Sequence, residues 1–183
     1  MKDILSKLQT LITFDLETGP FLTGGCITWL VESRYNVPRW APNDIDICCA
    51  TNEQFNDIKQ ILEPWSTHTR VTNWLNSSST YWTIDNIQVQ AFVHAITAKE
   101  RITWTDFSIN SIASDGINFL MQDDTLDDIK NKVLRYHDKI NEYPRPIEIM
   151  KDRYYKYLSR GYTDPNDQTL NKLTQLHETW ATI

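Results

Sequence analysis

The 183 residues are enough for one domain with a sizeable core, and 40% hydrophobic content with seven Trp and eight Tyr excludes a disordered chain. A net charge of −6 excludes a protein that wraps nucleic acid over a broad basic face, so any polyanion is held locally or with bound cations. No apolar run approaches the roughly 20 residues of a membrane span, the N-terminus MKDILSKLQT lacks a signal-peptide core, and three Cys without a C-x-x-C spacing read as reduced thiols of a cytoplasmic protein.

Ile4, Leu5, Leu8, Leu11 and Ile12 share one helical face, so the chain opens on an amphipathic helix. Gly19-Pro20 breaks the chain before a short apolar strand, FLT. Gly24-Gly25 then leads into CITWLVESRY, read as a helix, and into a loop with Pro38 and Pro42. DIDICCA is a strand of period two, with Asp44 and Asp46 on one face and Ile45 and Ile47 on the other. In TNEQFNDIKQILEPW, Thr51 and Gln54 make a capping box, Phe55, Ile58, Ile61 and Leu62 form the buried stripe, and Pro64 ends the helix. STYWTI and IQVQAFV are strands joined by a two-residue turn at Asp85-Asn86. TDFSINSIAS is read as a helix capped by Asp106, and Ser114-Asp115-Gly116 as a turn into the strand INFL. TLDDIKNKVLRY gives a short helix and an extended piece. From Pro146 a helix buries Ile147, Met150, Tyr154, Tyr157 and Leu158 and stops at Gly161. A last helix from Asp164-Pro165 buries Leu170, Leu173, Leu176 and Trp180.

Chemistry concentrates between residues 21 and 49. Two Asp at i and i+2 on a strand place their Cβ atoms roughly 6.5 Å apart on one face, a spacing that suits hard cations with oxygen ligands such as Mg²⁺. A Gly-Gly turn ahead of a helix lets backbone N–H groups approach phosphate oxygens. The plain alternatives are a solvated strand end for the D-x-D and an ordinary turn for the glycines. Cys48 and Cys49 read as packing, His94 and His137 as surface or capping residues, and Trp65, Trp74, Tyr81 and Trp82 as core.

The order Gly24-Gly25, Asp44-Ile45-Asp46, TDFSINSIA, LDDIKNKVLRY resembles the head domain of tRNA CCA-adding enzymes and bacterial poly(A) polymerases, members of the polymerase-β nucleotidyltransferase superfamily. Asp106, Phe107, Ser108 and Asn110 match that family's R-R-D-F-T-x-N-A motif. Asp127, Asp128, Ile129, Lys130, Asn131, Lys132 and Arg135 match its E-D-L-K-N-K-x-x-R motif. The resemblance runs over about residues 20–162. It implies an α+β fold: a nucleotidyltransferase head with a mixed sheet flanked by helices over residues 1–140, then a helical neck-like segment over 141–183. It further implies Mg²⁺ on Asp44 and Asp46, the triphosphate of an NTP on Gly24 and Gly25, and nucleotide positioning by Asp106 and Asn110. The reaction implied is NMP transfer to an acceptor hydroxyl with release of pyrophosphate. An RNA 3′ end resembling that of tRNA is the foremost acceptor, with a small molecule or a protein side chain as others.

The departures from the family carry their own expectations. Its Arg-Asp pair after the glycines is replaced by Thr28-Trp29, and its Arg-Arg before the middle Asp by Trp104-Thr105, with Arg101 as a substitute cation. Where the superfamily often has a third carboxylate, the neighbouring strand offers Gln88 and Gln90. The base-reading motif aligns with RPIEIMKDRYY, where Arg145 and Glu148 exchange the usual charges, so base choice is expected to extend beyond ATP and CTP. Residues 141–183 leave no room for the neck, body and tail helices that grip a whole tRNA. The competing expectation is a catalytically degenerate head that binds nucleotide or a protein partner.

Overall fold

A computed structural model describes residues 1–36, 38, 40–74, 77–137 and 147–180. The helices are α1 (Lys2–Leu11), α2 (Gly25–Tyr35), α3 (Asn52–Leu62), α4 (Ala98–Thr103), α5 (Thr125–Asn131), α6 (Ile147–Ser159) and α7 (Gln168–Trp180). The strands are β1 (Phe21–Thr23), β2 (Asp44–Cys49), β3 (His68–Trp74), β4 (Ser77–Ile84), β5 (Ile87–Val93), β6 (Ile112–Ser114) and β7 (Phe119–Met121). They form one sheet in the order β3-β4-β5-β2-β1-β6-β7. β2 and β5 run parallel and the other neighbours antiparallel, so the sheet is mixed and the fold α+β as expected.

β2 lies at the centre, and its two faces have different fates. Ile45 and Ile47 point into the main core with Leu22, Val89, Trp82 and Ile84, covered by Ile27 and Val31 of α2 and Ile58 and Leu62 of α3. The opposite face carries Asp44, Asp46 and Cys48. Its Cys48 end packs with Phe21 and Ala113 under Ala98 and Ile102 of α4, while the two carboxylates stay half-buried.

The local signals act as the sequence predicts at several places. Thr51 and Gln54 form their reciprocal capping box on α3. Asp85 and Asn86 turn the β4–β5 hairpin with φ of 49° and 64°, the left-handed pair a tight hairpin requires. Met150, Tyr154 and Tyr157 are the buried stripe of α6. Leu11, expected on the buried face of α1, is instead 37% exposed at its last turn.

Three features differ from the sequence reading. TDFSINSIAS is not a helix: a single 3₁₀ turn at Ser108–Asn110 is followed directly by β6. Its polar groups have tertiary partners instead of helical ones, since Ser108 Oγ donates to Asp128 at 2.5 Å and the Ser108 carbonyl accepts from Thr125 Oγ1 at 2.9 Å. Asp106 therefore caps no helix. The edge strand β3 and the short helix α4, with its capping box of Thr97 and Glu100, were both unread. Trp65, placed in the core by composition, is 44% exposed under the ammonium of Lys7, whereas Trp82 is fully buried.

Candidate active site

Strand pairing sets the site. β1 brings Thr23 level with Asp46, and the chain then turns at Gly24 into α2. Gly24 has φ 78° and ψ −163°, a backbone region closed to residues with a Cβ. It also has no room for one: a Cβ there would lie 2.2 Å from Asp46 Oδ2. The glycine turn and the second carboxylate are thus in direct contact. On the other side, parallel pairing sets Gln88 level with Asp44 and Gln90 level with Asp46, so two amides flank the carboxylates on that face.

Burial pushes the Asp46 carboxyl up to about 7, and the Asp44 charge adds to the rise. Arg101, Arg153 and Lys156 act against it. Arg101 comes from α4, where its Nε is buried without an acceptor and its Nη1 makes only a long 3.5 Å bond to the Trp104 carbonyl. The other two belong to α6, and Arg160 lies just past its end. Arg153, Lys156 and Arg160 recur at i, i+3 and i+7, one cationic stripe facing the sheet. Lys156 is drawn down by burial and by Arg160, and held up by Asp44 and Asp46.

Asp106 is 2% exposed and grips Arg153 as a fork: Arg153 Nη2 donates to Oδ1 at 3.0 Å and Nε pairs with Oδ2. Asn110 Nδ2 also meets Asp106 Oδ1 at 3.4 Å, and Asn110 Oδ1 accepts from the Tyr157 hydroxyl at 2.6 Å. The two residues expected to position the nucleotide thus face α6 and hold its cationic stripe toward β2. Thr28, standing where the resembled family has Arg, is fully buried and donates to the Ile109 carbonyl at 2.8 Å, tying α2 to the same turn. Glu148 is exposed in the first turn of α6 and is not among the groups acting on Asp46. Arg145 lies outside the described residues, as does the expected domain boundary at 140–141.

Among the described residues no group of three or more His, Cys, Asp or Glu is gathered as a metal cage. What the face offers a cation is the pair Asp44 and Asp46 with two amide oxygens beside it. All three Cys are buried and free, and burial pushes each thiol up to about 12, which disfavours a reactive thiolate at neutral pH.

A protein family described as Gabija anti-defense 2 family protein matches residues 2–132, well over half of the sequence. The chain belongs to this family. A search of curated protein sequences gives no match. Among solved structures the fold is similar to the Thermotoga maritima CCA-adding enzyme complexed with tRNA, with TM-score 0.65 and 17% identity over 96% of this chain and 42% of that one. It is also similar to a tRNA nucleotidyltransferase complexed with a primer tRNA and an incoming ATP analogue, with TM-score 0.58 and 16% identity over 86% and 47%. The chain thus spans less than half the length of either enzyme, and at these identities the likeness is one of fold.

For this Gabija anti-defense 2 family member, the residues that sequence reasoning missed are Arg153, Lys156 and Arg160. Their i, i+3, i+7 spacing is present in the sequence, but it interleaves with the buried stripe of Met150, Tyr154 and Tyr157, whose signal is that of packing. Among the described residues no helix is long and apolar enough to cross a membrane.

Proposed function

We propose that this protein is a Mg²⁺-dependent nucleotidyltransferase that moves NMP from an NTP to an acceptor hydroxyl, with an RNA 3′ end as acceptor, and that this reaction serves an anti-defense role. The observation that carries the reading is the contact of Gly24 with Asp46 on a central D-x-D strand, within a fold similar to CCA-adding enzymes. In this reading residues 1–140 are the catalytic head and 141–183 a helical neck-like segment.

The residues fit a hard divalent cation. Asp44 and Asp46 project from one strand face, burial leaves the Asp46 charge under-compensated, and the donors are all oxygens. Asp44 and Asp46 would hold Mg²⁺, which when bound neutralises phosphate charge and acts as a Lewis acid. The chain's own work is positioning. Gly24 and Gly25 let the phosphates approach the backbone, the α6 stripe supplies fixed positive charge, and Asp106 with Asn110 keeps that stripe in register. Arg101 of α4 adds a further cation acting on Asp46. Arg145 and Glu148 are the base-reading pair in this proposal, with choice not confined to ATP and CTP.

A second reading has one observation in its favour. Gln88 and Gln90 stand level with Asp44 and Asp46, and an amide neither takes a proton nor balances a cation. A nucleotide-binding or partner-binding head without turnover would look this way. Pyrophosphate release with each of the four NTPs, Mg²⁺ and total cellular RNA separates the two. Transfer predicts release that disappears in Asp44→Asn/Asp46→Asn at an unchanged thermal midpoint. No release from the wild type with any NTP, alongside measurable NTP binding, establishes the second reading instead.

A further inference from the structure

The carboxylate-bearing face of the sheet continues past β2, and strand register shows what lies on it. Asp46 stands level with Gln90 of β5, Gln90 with Tyr81 of β4, and Tyr81 with Arg70 of β3. The neighbouring row runs in the same way from Asp44 through Gln88 and Thr83 to His68. Residues level on paired strands point to the same side, so both rows share one face. The other face of β4 and β5 is closed by the core, which takes Trp82, Ile84 and Val89. This one stays open to solvent: Gln90 and Tyr81 are half-buried and Arg70 is exposed. Tyr81, expected in the core from sequence, is therefore a surface ring.

At its far end the row becomes flat and cationic. The Arg70 guanidinium lies over the Tyr81 ring, with Cζ 4.5 Å from the centroid. A guanidinium stacked on a ring is held as a plane, and its outer side presents that plane to whatever approaches. Among the described residues no carboxylate pairs with Arg70, so its charge acts outward. Three strand spacings separate Arg70 from Asp46, about 14 Å, which is the length of about four stacked nucleotides. The groups on the way are amides and hydroxyls, able to hydrogen-bond base edges or ribose without adding charge.

We infer that Arg70 and Tyr81 form a stacking platform for an unpaired base of a single-stranded RNA whose 3′ end runs toward Asp46. Unpaired bases stack on aromatic rings and on guanidinium planes, and the same cation draws the adjoining phosphates. A duplex hides its base faces in its own stack, so the platform discriminates against it. An acidic peptide would use the charge of Arg70 alone and leave the ring beneath it without a role. That this RNA is the acceptor rests on the transfer proposed above; that it binds here does not.

Fluorescence anisotropy of the full chain with a labelled, unstructured single-stranded RNA, without NTP or divalent cation, tests the platform. Arg70→Lys, at an exposed position, keeps the charge and loses the plane, and Tyr81→Leu removes the ring beneath it. Each should lower the affinity about tenfold, and duplex RNA of equal length should bind the wild type about tenfold more weakly than the single strand. Polyglutamate should not compete. No binding of the single strand by the wild type, or undiminished binding by Arg70→Lys, overturns the platform. Equal competition by polyglutamate overturns it as well, and makes this face a docking point for an acidic protein segment. In the pyrophosphate assay Arg70→Lys should raise KM for RNA about tenfold and leave KM for NTP within about twofold. An unchanged KM for RNA overturns the platform and leaves the transfer reading standing. The expected binding losses in a protein that releases no pyrophosphate remove the transfer reading and leave the platform.

Discussion

Replacing Gly24 by Ala separates two demands that the structure places on one residue. The first is conformational: φ 78° with ψ −163° is reached almost only by glycine, and holding another residue there costs about 1–3 kcal/mol. The second is steric, because the new methyl would stand 2.2 Å from Asp46 Oδ2 and 3.1 Å from its Cγ. Overpacking of that kind adds about 1–3 kcal/mol, relieved only if the carboxylate turns away or the turn shifts. The sum, roughly 2–6 kcal/mol, is large beside ordinary domain stability and corresponds to a fall of roughly 4–24 °C in thermal midpoint for a chain of this size. The two parts can be measured apart. In an Asp46→Ala background the clashing atoms are gone and only a Cβ at 3.4 Å remains, an ordinary contact. Gly24→Ala should therefore cost its full amount in the wild type and only the backbone share beside Ala at position 46. Urea unfolding of the four proteins at equal m values gives the coupling as a double-mutant cycle. Equal costs in both backgrounds would show that Gly24 serves the turn alone, and a wild-type loss below about 0.5 kcal/mol would refute the placement of Asp46 against it.

Two further outcomes follow from the same geometry. Arg153→Met removes the counter-ion that forks onto Asp106, which is 2% exposed, and should lower urea stability by about 3–5 kcal/mol, with much of the loss recovered in Arg153→Met/Asp106→Leu. Cys26, Cys48 and Cys49 are buried with thiols pushed up to about 12, so a disulfide reagent at pH 8 should find no fast-reacting thiol in the folded chain and three equivalents in denaturant.

What was legible in the sequence was what local pattern determines. β2 announced itself by alternation because Ile45 and Ile47 are fully buried while Asp44 and Asp46 are only half-buried, and α3 by a capping box that forms as written. β3 carried no such pattern, since residues 68–71 are exposed on both faces of an edge strand and neither face selects apolar residues. TDFSINSIAS misled because Phe107, Ile109 and Ile112 are all buried, a density that fits a helix as well as a turn entering a strand. The turn wins through contacts distant in sequence: Asp128 on Ser108 and β1 on β6. Within the site, the D-x-D face and the glycine turn were readable, and so was the presence of Gln88 and Gln90 on a neighbouring strand, but not their placement level with the carboxylates. The orientation of Arg153, Lys156 and Arg160 was not, because it depends on where a helix lands relative to a strand one hundred residues earlier.

That stripe also bears on how an acidic chain can take a polyanion. The net charge of −6 belongs to the sequence as a whole, whereas Arg101, Arg153 and Lys156 act on Asp46, Asp44 acts on Arg160, and Arg153 pairs with Asp106. At physiological salt, exposed charges more than roughly 8 Å away are largely screened, while partly buried ones are not. A group inside the site therefore feels these nearby cations more than the net charge of the chain. On the proposed reading this favours a short, highly charged substrate held by its phosphates and an RNA gripped only at its end. A protein built to hold the shaft of an RNA would need basic residues spread over its outer surface. Here Asp106 fixes Arg153 by a buried fork beside β2. On the proposed reading, the cations gathered around Asp44 and Asp46 argue for a site that holds its small substrate by its phosphates and leaves acceptor choice to the few groups around the carboxylates.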